Sequence, residues 1–354
     1  LTVPASAAAR LTVSAIERTV DLWVGPDATP VGKTPKREVA RFGRAALHRY
    51  ASAAKNRRGT PVLLVYALVN KPTIFDLMPG RSVVETLLAE GRDVFLLDWG
   101  VPTLDDADMG LEEHILGILD DAVAETLKEA GRRKLSLVGY CMGGTLSVLY
   151  TALRPAAVER LFVMAAPIAG RIPNGILHTL SHPMLFDPGA LSAHGLVPPE
   201  ALNLGFAMLR PVENLWGKYV RFYEHGSDPK YREPFLAMER WIREGVPLPG
   251  AIYEEFVRGI YQEDRLRRGG LKVGSELADP KKIRCPLGIL VAEQDHLVPP
   301  ASTLALAELV STPKPAIFRF KGGHVGLAVS GRAHEQLWPE VAQWLIGPKK
   351  RGVR

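Results

Sequence analysis

Leu135-Ser136-Leu137-Val138-Gly139-Tyr140-Cys141-Met142-Gly143-Gly144 decides how this chain is read. Leu135–Val138 has the make-up of a buried strand, and downstream Leu146, Leu149, Tyr150 and Leu153 recur on one face of a helix. Between them lies the spacing G-x-nucleophile-x-G, with a cysteine at its centre. A strand that turns sharply into a helix leaves no room for side chains beside the nucleophile, so glycines flank it. The turn sets the thiol at a helix N-terminus, where the dipole favours a thiolate. It also points the Met142 backbone N–H at the place an oxyanion would form. The plainer reading is a buried cysteine in a glycine-rich turn, and the strand–turn–helix context favours the nucleophile. The uncharged run from Leu135 to Leu153 is nominally long enough to cross a bilayer. Gly139, Gly143 and Gly144 break it in the middle, so no transmembrane segment is expected there.

Outward from this turn, short apolar runs alternate with helical patterns. Pro61–Ala67, Val94–Leu97, Arg160–Met164, Leu287–Val291 and Ala316–Phe320 read as strands. Val83–Ala89, ended by Gly91, the stripe Ile115, Leu119, Val123 and Leu127, and the stretch Leu304–Val310 read as helices. Fully apolar strands alternating with amphipathic helices predict an α/β chain whose mostly parallel central sheet is covered on both faces. Residues 1–40 read as a polar, partly helical segment with turn signals at Gly25-Pro26-Asp27 and Val31-Gly32-Lys33-Thr34-Pro35. Residues 41–166 and 283–354 form the expected core. From 167 to 282 the alternation stops, and this stretch reads as an inserted, mainly helical cap, with helical pieces at Pro234–Ile242 and Ala251–Tyr261.

Composition bounds the alternatives. With 354 residues, 47% hydrophobic and 23% charged, the chain is globular rather than disordered. The 44 Lys and Arg against 38 Asp and Glu leave a net charge of +6, which suits an anionic small molecule. No Lys/Arg run is interleaved with aromatics, so nucleic acid is not an expected partner. Two cysteines exclude a disulfide scaffold and point to a reducing compartment. Arg10, Glu17 and Arg18 interrupt any apolar signal core near the start. The basic Lys349-Lys350-Arg351 and Arg354 read as a solvated tail.

A cysteine elbow needs a base and an orienting acid, in chain order nucleophile, acid, histidine. Asp295 follows the strand ending at Val291, and His324 follows the strand ending at Phe320. Asp98 also follows a strand but precedes the nucleophile, so it reads as fixing the Asp98-Trp99-Gly100 turn. His296 adjoins Asp295 and, with Asn70, is a candidate substrate contact. His178 and His182 have helical spacing, but no Glu lies between them and Pro183 follows, so no zinc site is expected. Cys285 precedes Pro286 at the start of a strand and reads as a packed bystander. The second oxyanion donor is expected in the loop Leu68-Val69-Asn70-Lys71, with Val69 as the candidate beside Met142.

The chain resembles the catalytic subunit of the two-component polyhydroxyalkanoate synthases, the short class III type with class IV close behind. The residues that carry the resemblance are Val31-Gly32-Lys33-Thr34-Pro35, Leu64–Pro72, Pro79–Glu85, Asp93–Gly100, Gly139–Gly144 and Gly322–Ser330. In the cap they are Met238–Ile242 and Ile260–Asp264. Thr73 and Arg92 depart from it, standing where aromatic residues are expected. The resemblance implies an α/β-hydrolase fold and polymerisation of (R)-3-hydroxyacyl-CoA, foremost 3-hydroxybutyryl-CoA, with CoA released. Cys141 takes the family's nucleophile position, Asp295 the acid and His324 the base. No metal or organic cofactor is implied. The expected partners are the CoA thioester, the growing polyester, a second synthase subunit in a homodimer or hetero-oligomer, and the polymer granule surface in the cytoplasm. Trp216, Tyr219, Phe222, Tyr223, Phe235 and Trp241 are candidates for cap walls or dimer contacts, with ordinary helix packing the plainer reading. An esterase or intracellular polyester depolymerase on the same fold is the alternative, which a serine in the elbow would have favoured.

Overall fold

Short runs of buried Val, Leu and Ile supply the strands of one central sheet. The computed structural model describes residues 5–52, 57–172 and 176–347. Its strands are β1 (Lys36–Phe42), β2 (Ala45–Tyr50), β3 (Val62–Val65), β4 (Val94–Asp98), β5 (Leu135–Tyr140), β6 (Val158–Met164), β7 (Leu287–Ala292) and β8 (Ala316–Phe320). They lie in the order β1-β2-β4-β3-β5-β6-β7-β8. The β1–β2 and β2–β4 pairings are antiparallel, and every pairing from β4 to β8 is parallel. Val65 pairs with both Leu97 and Gly139, and Ala292 with Phe320, so the parallel strands end together along one edge. β3, β5 and β7 are buried along their whole length, as strands with layers on both faces must be. This is the α/β-hydrolase arrangement, with a mostly parallel sheet flanked by helices.

Three features differ from the sequence-based expectation. First, the sheet starts at Lys36, inside the stretch read as a polar N-terminal segment. Second, helix α1 (Ala5–Ala28) runs through Gly25-Pro26-Asp27, which reads as a turn. Pro26 has no N–H to give the carbonyl of Leu22, and elsewhere in a helix that loss breaks the ladder. Here the Arg243 guanidinium bonds the Leu22 and Trp23 carbonyls, and Arg240 bonds those of Asp27 and Thr29. Arginines from a neighbouring helix therefore satisfy the carbonyls at the end of α1. Third, after α2 (Val83–Ala89) and α3 (Asp120–Ala130), α4 (Met142–Leu153), expected to be buried on one face, is buried at every residue. It packs on β5 and β6 on one side and is covered by Glu113–Leu119, Glu276–Ala278 and Pro280–Lys282 on others.

Between β6 and β7 the chain leaves the sheet and becomes chiefly helical. α5 (Pro199–Ala207), α6 (Lys218–His225) and α7 (Pro229–Arg243) lie here with a short hairpin, Leu271–Val273 against Glu276–Ala278, and a two-residue ladder between Leu196–Val197 and Leu248–Pro249. Two bonds tie this region to the loop after β3: Trp241 Nε1 donates to the Lys71 carbonyl at 2.8 Å, and the Val246 N–H to the Val69 carbonyl at 3.2 Å. Among the described residues no helix is long and apolar enough to cross a membrane. The uncharged run at 135–153 is β5, Cys141 and α4. The basic residues at 349–354 lie outside the described residues.

Candidate active site

Cys141 is the pivot between β5 and α4. Its backbone lies at φ 56° and ψ −130°, in the left-handed region that a non-glycine residue enters only when its surroundings hold it there. Its N–H continues the sheet by bonding the Met164 carbonyl, and its own carbonyl takes the Gly144 N–H at 2.9 Å. The glycines are required by contact. A Cβ on Gly143 would sit 2.4 Å from the Tyr66 carbonyl oxygen, and one on Gly144 would sit 2.7 Å from the Ala166 methyl. On Gly139 it would meet Ser147 Oγ at 2.5 Å.

The candidate acid and base, Asp295 and His324, come from the two loops beyond β7 and β8. Asp295 Oδ1 accepts the backbone N–H groups of Leu297 and Val298 at 3.0 and 2.8 Å, leaving Oδ2 for His324 Nδ1 at 2.7 Å. The Asp295 side chain is wholly buried and that of His324 nearly so. The loops are bonded to each other through Glu293 N–H to the Phe320 carbonyl and Gln294 N–H to the Gly322 carbonyl. Burial draws the His324 pKa down, but the negative charges of Asp295 and Cys141 outweigh it and push the imidazole up from 6.5 to about 10. With Nδ1 committed to Asp295, Nε2 is the nitrogen left for chemistry. It is buried, and the Cys141 side chain is the neighbour whose charge and hydrogen bonding act on it.

Tyr140, which sequence reasoning passed over, holds this histidine from below. Its ring stacks on the imidazole at 5.2 Å and 25°, and its hydroxyl donates to the His324 carbonyl at 2.8 Å. A tyrosine at the last position of a wholly buried strand must find a partner for its hydroxyl, and that was the available signal.

Cys141, Met142 and Val69 open into a cavity of about 290 Å³. Its other walls come mainly from the 167–282 region: Leu177, Phe186, Leu202, Phe206, Tyr253, Phe256 and Tyr261, closed by Leu297 and Val298. Nearly all of it is apolar. The arrangement can hold an apolar acyl group against a thiol, with a histidine–carboxylate pair beside it and the first N–H of α4 nearby.

Over residues 60–329 the chain matches the α/β-hydrolase fold family. It is 36% identical over 322 residues to the "Poly(3-hydroxyalkanoate) polymerase subunit PhaC" of Allochromatium vinosum, and the match covers 90% of each chain. The chain belongs to this polymerase family. The protein of that name from a Synechocystis species is 37% identical, over 90% of this chain and 86% of its own length. The one from Haloferax mediterranei is also 37% identical, over 91% of this chain and 66% of the relative. Among solved structures, the enol-lactonase from Burkholderia xenovorans LB400 aligns with a TM-score of 0.53 at 18% identity, covering 88% of this chain and 99% of that one. That likeness concerns the fold alone.

Other residues singled out in this polymerase-family sequence fall elsewhere. Asn70 is buried, accepts the Lys71 N–H at 2.7 Å and does not line the cavity. His296 is exposed and does not line it either. Asp98 holds the N–H of Gly100, whose positive φ and contact with the Arg44 carbonyl fix the turn. None of the six aromatic residues proposed as cap walls lines the cavity. Phe222 and Phe235 stack at 4.4 Å between α6 and α7, with Tyr219 against Phe235; Trp241 is buried, and Trp216 and Tyr223 face outward. Packing between the two helices claims Tyr219, Phe222 and Phe235, and different aromatics wall the cavity. The His178 side chain lies outside the described residues, and His182 accepts the Met184 N–H. Among the described residues no cluster of three or more His, Cys, Asp or Glu could hold a metal ion. The departures Thr73 and Arg92 are likewise not in the cavity wall; Arg92 is fully buried, bonded to the Arg58 and Thr60 carbonyls, and burial pulls its guanidinium down to about 10.

Proposed function

We propose that the protein polymerises (R)-3-hydroxyacyl-CoA, foremost 3-hydroxybutyryl-CoA, through a thioester on Cys141. The observation that carries this reading is a strained cysteine that shares an apolar cavity wall with its elbow amide and acts by charge on a buried, carboxylate-bound histidine. In the first half-reaction Cys141 Sγ gives its proton to His324 Nε2 and attacks the CoA thioester carbonyl. The C–S bond to CoA breaks, and the proton leaves with the CoA thiol. In the second, the hydroxyl at the end of the growing chain gives its proton to Nε2 and attacks the Cys141 thioester. An oxoester forms and the thiol is restored.

Exchange between two thioesters is near-isoenergetic, so cysteine preserves the activation that CoA brings, and the oxoester step runs downhill. Asp295 supports the imidazolium that forms twice per cycle, in keeping with the raised His324 pKa. The Met142 and Val69 N–H groups are the proposed oxyanion donors. The apolar walls favour the acyl chain over water, and water would end the polymer. This chemistry calls for no metal or organic cofactor. The relatives are named as subunits, and we extend to this chain a second synthase subunit, homodimeric or mixed assembly, and work at the polymer granule surface in the cytoplasm.

The test is incubation with 3-hydroxybutyryl-CoA beside the Cys141→Ala variant. CoA release with polymer supports the reading, and CoA release with only free acid would make the protein a hydrolase. No turnover, even with a second subunit, would leave a non-catalytic scaffold. Cys141→Ala should lose activity by about a thousand-fold or more. Turnover should be weak for the chain alone and rise when a second subunit encoded beside it is added; equal rates would remove that part of the proposal.

A further inference from the structure

Besides Cys141, three residues that line the cavity carry a polar side-chain atom: Ser181, Tyr253 and Tyr261. Neither tyrosine hydroxyl makes a side-chain hydrogen bond among the described residues, and of the two Tyr261 also borders the loop that follows Asp295, beside Leu297 and Val298. Cys141 and Asp295 lie near enough for their charges to bear on Tyr261, whereas only burial acts on Tyr253.

The backbone around this ring is fixed from several sides. Tyr261 lies in a π-helical stretch, Val257–Gln262, a wider turn than the α-helix that is found often at functional sites. Gly170 packs so closely that a Cβ there would sit 2.5 Å from Tyr261 Cα. Gln262 donates to the Ser181 and Phe186 carbonyls at 3.0 Å each, and Arg171 donates to the Gln262 carbonyl. Asp264, at φ 54°, accepts the Gly170 N–H. A phenol held this firmly, with its hydroxyl left free in an apolar space, is preorganised for a polar atom of a ligand.

We infer that the Tyr261 hydroxyl hydrogen-bonds the 3-hydroxyl of the acyl group carried on Cys141, and so selects 3-hydroxyacyl over plain acyl thioesters. The inference rests on the synthase reading and names the group through which that site recognises its substrate. An acyl chain without the hydroxyl leaves the phenol unpaired in apolar surroundings, and that loss is the source of discrimination.

The test compares first-turnover CoA release from 3-hydroxybutyryl-CoA and from butyryl-CoA, which can acylate Cys141 but cannot extend. The wild type should favour the hydroxyacyl thioester, and Tyr261→Phe should shrink that preference by about tenfold. Tyr261→Met, which fills similar space without a hydroxyl, should show the same loss. A preference unchanged in both variants, including equal slowing on both thioesters, would overturn the inference and mark a packing role. If the wild type releases CoA from neither thioester, the synthase reading fails first and takes this inference with it.

Discussion

The two edges of the central sheet use the same residue types to opposite ends. At the edge where the parallel strands begin, most polar groups are paired off, although Arg92 Nε and Arg160 Nε are buried without a partner among the described residues. Asp93 takes bidentate contacts from Arg49 at 3.0 and 2.8 Å and a third from Arg57 at 2.7 Å. Arg92 is sunk among backbone carbonyls, and Cys285 lies before β7 with burial pushing its thiol up. At the edge where the strands end, Cys141 and Tyr261 line a cavity, and His324 Nε2 is left with the Cys141 side chain as its neighbour. One edge is arranged for stability and the other keeps capacity for a ligand. The apolar cavity that Cys141 faces, rather than residue type, separates them.

The sharpest contrast is between the two cysteines. Cys141→Ala should abolish CoA release to the extent already given, whereas Cys285→Ala should keep the rate within about twofold, since surface or packing substitutions away from a site act mildly. A large loss with Cys285→Ala would break the division between the edges. Next in size is Asp295→Asn, which keeps the shape of the acid but removes the charge that raises His324. The rate of CoA release should fall by about a hundred-fold or more.

The same substitution has a pH signature in stability. The His324 imidazolium, raised to about 10, contributes stability that is full below the ordinary 6.5 and lost as pH climbs through about 10. The Tm gap between wild type and Asp295→Asn should therefore be widest near pH 6.5 and narrow towards pH 10. A gap that widens with pH would contradict the charge state assigned to the pair. The smallest effect on chemistry is expected from Gly59→Ala at the opposite edge. Gly59 lies at φ 66°, and a Cβ there would meet Arg92 Nη1 at 2.1 Å. Thermal melting should show a loss of about 1–3 kcal/mol, with CoA release per folded molecule unchanged. A matching loss of turnover would mean that the two edges are coupled.

The open edge was legible in sequence where strands and glycines dictate position. Cys141 is announced by its flanking glycines, and Asp295 and His324 by following apolar runs in the required order, because short loops after strands leave a residue few places to go. The walls of the cavity were not legible. Phe222 and Phe235 have the same composition as Phe206 and Phe256, and only the packing of α6 against α7 decides which rings face the site. Tyr140 was missed for a related reason, since its hydroxyl finds its partner, the His324 carbonyl, far away in sequence. At the N-terminus Pro26 suggested a turn because the arginines that compensate for it lie more than two hundred residues away.

Those arginines have a mechanical consequence. Along one stretch of α7, Arg240 and Arg243 grip the frayed end of the first helix, while Trp241 between them clasps the Lys71 carbonyl, two positions from Val69. A load on the N-terminal helix thus reaches the loop proposed to hold the oxyanion through a rigid rod a few residues long, so whatever grasps that helix also has a handle on the cavity beside Cys141.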